Sequence, residues 1–218
     1  MARSAERNAE TRERILVAAE RLFAERGVVS VSNRQIGEAA GQRNTAVVGY
    51  HFGTKAGLIQ AIAQRHTEPL EQIRQEMVDA GSDSTDLRDW VSCLVLPLPR
   101  HLASLGSPTW YARFAAQVVT DPVLRSALGD HTRRSPSYHQ MRDGLRRCLR
   151  ELPEPVWSER SQLTSTLLIH ACADFEGALA EGRPTIHTTW EGMAAGLVDA
   201  AVGILRAPAT ALTTPGTP

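Results

Sequence analysis

Apolar residues recur along this chain every three or four positions and seldom every second one. That spacing puts them on one face of a helix, so the sequence predicts an all-α protein. A first helix is expected over about 9–26, where Ile15, Leu16, Ala19, Leu22 and Phe23 form one stripe and Glu and Arg fill the other face. Gly27 follows, where a helix end favours a residue that tolerates positive φ. A short second helix is expected over 33–40. Ser32 and Gln35 have the spacing of a reciprocal cap, Ile36, Ala39 and Ala40 face inward, and Gly41 ends it. A third is expected over 45–51, capped by Asn44 or Thr45, with Val47 inward, Phe52 at its exit and Gly53 as its breaker. Thr54 then caps a fourth, which starts at Lys55, turns Leu58, Ile59 and Ile62 inward, and runs with a bend near Pro69 to about 80.

Beyond a polar loop at 81–85, five more helices are expected, at 86–104, 108–119, 122–151 with a break near Ser135 and Pro136, 155–181, and 185–206. Pro108, Pro122 and Pro155 stand near starts, where a missing N–H costs nothing, and Gly182 and Pro184 separate the last two helices. The tail 207–218 is rich in Ala, Thr and Pro and is expected to be disordered. No internal repeat is visible.

Composition narrows the class. The 218 residues are 42% hydrophobic and 22% charged, the balance of a soluble globular chain. No apolar run approaches the ~20 residues of a transmembrane helix, and residues 1–10 lack the apolar core of a signal peptide, so a cytoplasmic location is expected, without a membrane. Cys93, Cys148 and Cys172 are far apart and odd in number, which argues for reduced, buried thiols; no metal-binding spacing and no cofactor motif is present. Net charge is zero but unevenly spread. Residues 1–66 hold ten basic residues against six glutamates, and residues 67–218 hold fourteen arginines against eighteen acids. A basic N-terminal third is the asymmetry that attracts a polyanion.

The segment 32–51 supplies the element such a region needs. A capped short helix, a turn at Gly41 and a second short helix make a helix-turn-helix, in which the first helix braces the second and the polar N-terminal end of the second enters the major groove. That end reads Gln42, Arg43, Asn44, Thr45. Arg forks to guanine, Asn to adenine, and Thr meets a base or a phosphate. Arg34, Tyr50 and His51 flank it, and Thr54 and Lys55 offer backbone N–H groups and a charge for phosphates. Gly49 lies inside the recognition helix at a cost of about 1 kcal/mol against Ala. Close approach of the DNA backbone explains it; so does tight packing on a neighbouring helix.

Roughly the first 66 residues resemble the DNA-binding domain of the tetracycline-repressor (TetR) family. The resemblance rests on Ile15-Leu16, Ala18-Ala19, Leu22-Phe23 and Glu25-Arg26-Gly27, then Arg34 to Gly41 without a break, then Tyr50-His51-Phe52-Gly53-Thr54-Lys55-Ala56-Gly57-Leu58. Gly41 to Lys55 is one residue longer than the commonest family spacing and resembles a branch with that extra residue, which moves the base-contact register by one position. The resemblance implies a ligand-responsive repressor that binds a palindromic operator as a homodimer. Residues 1–54 would form the helix-turn-helix domain and 55–206 a helical ligand-binding and dimerisation domain, with helices 155–181 and 185–206 pairing with their mates in a four-helix bundle. Gly192, Ala195, Gly196, Ala200 and Gly203 give the last helix small residues for close packing, either between subunits or within one.

No signature identifies the effector. The region 86–180 would hold it, with Trp90, Cys93, Leu94, His101, Trp110, Tyr111, Phe114, Met141, His170 and Phe175 as candidate contacts for a small, mainly apolar or aromatic molecule. The same residues also suit an ordinary core. The fourth helix, which joins the two regions, is the expected lever between ligand and DNA. The chain lacks the glycine-rich, zinc-protease and nucleophile-elbow motifs, so an enzyme is not expected. The competing reading is a helical protein-interaction module that has lost DNA binding.

Overall fold

Caps and breakers set the boundaries of the N-terminal helices. The computed structural model describes residues 2–42, 44, 46–122, 124–125 and 132–209, and among these every regular element is a helix. Helix α1 (Ala2–Arg26) ends at Gly27, whose φ is +87°. Helix α2 (Asn33–Ala39) carries the expected reciprocal cap: the Gln35 N–H donates to Ser32 Oγ at 3.3 Å, and the Ser32 N–H to Gln35 Oε1 at 2.8 Å. Helix α3 (Val47–Phe52) starts two residues later than expected and stops at Gly53, with φ +67°. Helix α4 (Lys55–Ala80) is capped by Thr54 and runs through Pro69, where the single missing N–H is tolerated. A side chain at Gly57 would place its Cβ 2.4 Å from the Phe52 carbonyl oxygen, so only glycine fits this turn.

The later helices depart from expectation in four places. The span 86–104 is two helices, α5 (Leu87–Val95) and α6 (Pro97–Ser104). Pro97 and Pro99 both lack the N–H that a continuous helix would direct at Cys93 and Val95, and two absent bonds within three residues break it. Helix α7 (Tyr111–Thr120) starts three residues after Pro108, because its cap comes from elsewhere in the chain: Glu176 accepts the N–H of Ala112 at 3.2 Å and of Arg113 at 2.9 Å. Helix α8 (Pro136–Cys148) begins at the expected break, where Ser135 caps it, and ends short of 151; part of the expected 122–135 segment, residues 123 and 126–131, lies outside the described residues. Helix α9 (Glu154–Glu181) ends at left-handed Gly182, and helix α10 (Trp190–Arg206) starts at Trp190, not 185, because Thr189 caps it. Of the expected tail, 210–218 lies outside the described residues.

The buried side chains form one continuous cluster from Ile15 in α1 to Leu205 in α10. Helix α7 packs on both α1 and α9, α4 packs on α5, α6 and α8, and α10 packs on α5, α6 and α9. Phe23 of α1 stacks on Phe114 of α7 with centroids 6.1 Å apart. Helix α7 therefore joins α1 to the later helices, as α4 does. Cys93 and Cys172 are buried as expected, but Cys148 is only half-buried. His187 of the α9–α10 connection lies on α10, where a methyl at Gly192 or Gly196 would sit 3.5 or 3.4 Å from its ring. A methyl at either would make ordinary contact, so packing within the chain requires neither glycine, and at Gly203 it would meet nothing within 4 Å.

Candidate nucleic-acid interface

Helix α3 stands against α2 and α4 and turns its other side outward. Val48 is its buried anchor, while Tyr50 is 81% exposed with the half-buried His51 ring edge-on to it at 5.2 Å. A Cβ built on Gly49 would meet nothing within 4 Å, so packing on a neighbouring helix does not explain this glycine. Helix α1 begins seven residues earlier than expected, and its added turns reach α3. Ala5, Arg7, Asn8 and Thr11 line an open groove of about 660 Å³ together with Val47, Tyr50 and His51. Arg12, also unmarked by sequence reasoning, lies over the Phe52 ring at 5.2 Å. An arginine on the polar face of an amphipathic helix carries no sign of which neighbour it will cover.

The polar residues expected to read DNA are partly engaged in the chain itself. Asn44 Oδ1 accepts the Ala46 N–H at 2.9 Å, which leaves its amide N–H groups to reach outward. Gln42 Nε2 donates to the Ala40 carbonyl at 3.3 Å. Arg34 and Glu38 form an exposed pair at 2.9 Å, one turn apart. Thr54 Oγ1 accepts the Gly57 N–H at 3.0 Å. Arg43 and Thr45 lie outside the described residues. The Lys55 ammonium donates to the carbonyls of Val28 at 2.9 Å and Val31 at 2.8 Å, so two of its three hydrogens tie the α1–α2 connection to α4.

The ten residues expected around a ligand do not surround one cavity. Trp90, Cys93, His101, Tyr111, Phe114, Met141 and Phe175 are buried in the core, and Leu94, Trp110 and His170 are half-buried. Tyr111 joins His101 and Phe114, with ring centroids 6.3 and 6.1 Å away. Trp90 packs instead on Gly144 of α8, where a Cβ would fall 2.1 Å from the indole. Phe175 meets Trp190 edge-on at 4.8 Å. Burial pushes the Cys93 thiol up to about 11, which keeps it protonated. An open groove of about 310 Å³ lies elsewhere, between α5, α6 and α10, lined by Leu96, Pro99, Trp190 and Val198 with Arg88 and Arg100 among its polar groups.

Sequence reasoning also passed over Glu20, His66 and Glu176, which are buried. The signal was present. Glu20 falls one turn after Leu16 and three residues before Phe23, an inward position, and His66 falls one turn after Ile62. The partners of these groups lie on other helices, where no spacing rule reaches.

A family model for bacterial regulatory proteins of the tetR family matches residues 15–62. Two regulators of Pseudomonas putida, the probable HTH-type transcriptional regulator ArpR and the HTH-type transcriptional regulator TtgR, are each 36% identical to this chain over 92 residues. The match covers 42% of this chain and 41% of each relative, so it spans well under half the length of these relatives. Among solved structures, the TetR family transcriptional regulator PfmR from Thermus thermophilus superposes with a TM-score of 0.55 at 19% identity, covering 90% of this chain and 99% of that one. A HlyIIR mutant protein superposes with a TM-score of 0.56 at 14% identity, covering 90% and 97%. At these identities the likeness establishes the fold.

Proposed function

We propose that this chain, whose residues 15–62 match the tetR family of bacterial regulatory proteins, is a regulator of that family that binds a pseudo-palindromic DNA operator as a homodimer, represses transcription there, and is released by a small, mainly apolar or aromatic effector. The observation that carries the reading is the outward side of α3: an exposed tyrosine beside a glycine that nothing in the chain requires, flanked by the Arg7–Asn8 turn of α1. A bare backbone position next to hydrogen-bonding side chains suits close approach to a duplex. Residues 1–54 form the reading head in this proposal, and 55–206 carry effector binding and dimerisation.

Dimerisation is assigned to the outer faces of α9 and α10. Leu163 and Leu179 of α9 are exposed, and so are Ala195, Gly196, Ala200 and Gly203 of α10. The groove between α5, α6 and α10 offers an apolar wall with an indole, and its volume is at the low end of small-molecule sites, ~300 Å³. An effector that binds better to the conformation with misplaced recognition helices releases the operator without touching it. No described helix is long and apolar enough to cross a membrane, and an operator-binding role implies the cytoplasm.

The test is capture of genomic DNA fragments by the purified protein, then salt titration of the best fragment. A short palindrome bound by a dimer, with affinity falling steeply as salt rises, supports the proposal. Protein freed of any carried ligand by refolding that enriches no fragment even at low salt rejects it, and favours the interaction module.

A further inference from the structure

Between α1, α4, α6 and α7 lies a buried polar chain that the DNA interface does not use. Glu20 of α1, His66 of α4 and His101 of α6 are 4%, 2% and 3% exposed. Glu20 Oε2 is 2.9 Å from His66 Nε2, and His66 Nδ1 is 2.7 Å from His101 Nε2. Tyr111 stacks on the His66 ring at 3.8 Å and meets His101 edge-on. Among the described residues His101 Nδ1 is buried with no hydrogen-bond partner.

These contacts fix where the protons sit. An ionised carboxylate only accepts, so His66 Nε2 carries a hydrogen. In neutral His66 the other nitrogen then accepts, and His101 Nε2 must donate to it. His101 Nδ1 is left as a bare lone pair, which matches its lack of a partner. One extra proton is accommodated without moving a heavy atom. It enters at His101 Nδ1, the hydrogen in the 2.7 Å contact passes to His66, and the resulting imidazolium faces Glu20. A second extra proton places an N–H on both sides of that contact and a positive charge on both rings. The contact must then open.

We propose that Glu20, His66 and His101 form a proton-operated latch that holds α1 in its DNA-binding position against the later helices, closed with at most one extra proton and opened by a second. The proposal rests on the reading of the chain as a DNA-binding regulator and names a way in which that binding is regulated.

The surroundings set the latch. From α1, Glu20 favours protonation, and Glu13 holds Arg65 of α4 at 2.9 Å. Arg65 also approaches Glu20 at 3.4 Å and opposes a further positive charge. From α7, Tyr111 stays a neutral phenol because burial raises it. The α9 carboxylate of Glu176 is committed to Ala112 and Arg113. Cys93 of α5 stays a thiol. On the outer side of α6, Arg100 lines the groove that Glu191 of α10 also lines. Burial first, and then His66, lowers His101 to about 4, well below the ordinary histidine value, so the closed latch resists the second proton.

The experiment is operator binding by the full-length protein from about pH 7.5 to pH 5, with circular dichroism confirming the fold at each pH. A histidine that titrates near its ordinary value when released and much lower when latched weakens binding by about tenfold or more over this range. His101→Gln keeps a side-chain N–H for His66 but does not titrate. It is expected to match the wild type at about pH 7.5 and to lose most of the pH dependence. His66→Gln, which offers both an N–H for Glu20 and an oxygen for His101, is the second variant if the first does not fold. His51 of the interface is unchanged in both, so it does not distinguish them. Equal pH profiles for wild type and variant overturn the latch. Wild-type protein that binds no DNA at any pH overturns the functional reading instead. Nitrogen NMR of the imidazoles in the free protein then decides the latch alone: a hydrogen on His66 Nε2 and a single hydrogen between His66 Nδ1 and His101 Nε2 at neutral pH support it, and a bare His66 Nε2 or a His101 carrying both hydrogens overturns it.

Discussion

Gly49 and Lys55 are six residues apart; nothing in the chain packs on the first, and two backbone carbonyls hold the second. Glycine in a helix interior costs about 1 kcal/mol against alanine, and nothing around Gly49 in the chain returns that cost. Gly49→Ala is therefore expected to raise the stability of the free protein by up to about 1 kcal/mol while weakening operator binding. Opposite signs in thermal denaturation and in DNA anisotropy are the result to look for. A weaker fold, or unchanged binding, contradicts the assignment. Lys55→Met is expected to do the reverse. It removes two charge-assisted hydrogen bonds to Val28 and Val31, costing about 2–4 kcal/mol in urea unfolding, and leaves the salt slope of DNA binding unaltered. The Ser32–Gln35 cap was legible because both partners lie within one turn. The duty of Lys55 was not, since its acceptors sit 24 and 27 positions upstream and are carbonyls that every residue carries.

Helices were legible where their ends are made locally. Gly27, Gly53, Thr54, Ser135 and Gly182 mark boundaries that spacing and φ preference predict. Helix α7 shows the limit. Its first N–H groups are satisfied by Glu176, more than 60 positions away, so nothing near Pro108 announces a start at Tyr111. Glu176 also accepts from Arg113 Nε at 3.1 Å, which makes the pair nearly buried. Glu176→Ala leaves two helix N–H groups and Arg113 Nε unpartnered, with Arg113 Nη2 still on the Thr109 carbonyl, and is expected to cost about 3–5 kcal/mol. Hydrogen exchange should show the first turn of α7 losing protection before the rest of that helix. Uniform loss of protection would mean that the clamp is no local device. The ligand residues named from sequence were inward-facing residues, and periodicity cannot tell a core from a cavity wall.

The chain is neutral overall, yet its stability is expected to depend on pH through one buried ring. Folded with the latch closed, His101 stays neutral down to about pH 4; unfolded, it takes up a proton near 6.5. Between those values the unfolded state binds more protons than the native one, so stability is lost as pH falls through that window. The full difference is on the order of 3 kcal/mol, and urea midpoints between about pH 7 and pH 4 should record it. His101→Gln should flatten the lower part of that curve. A midpoint that holds steady from neutral to acid in the wild type would show that the ring titrates normally in the fold.

The continuous core has one more consequence, for engineering. Exchanging reading heads between related regulators treats the first helices as a cartridge that plugs into any body. Here the cartridge has teeth: Phe23 is stacked on Phe114, and Glu20 is hydrogen-bonded to His66, both beyond the helix-turn-helix. A head grafted at residue 54 without a matching α7 surface would leave one aromatic ring without its stack and one imidazole without its acceptor. Chimeras that retain specificity should be those cut so that residues 20, 23, 66 and 114 travel together.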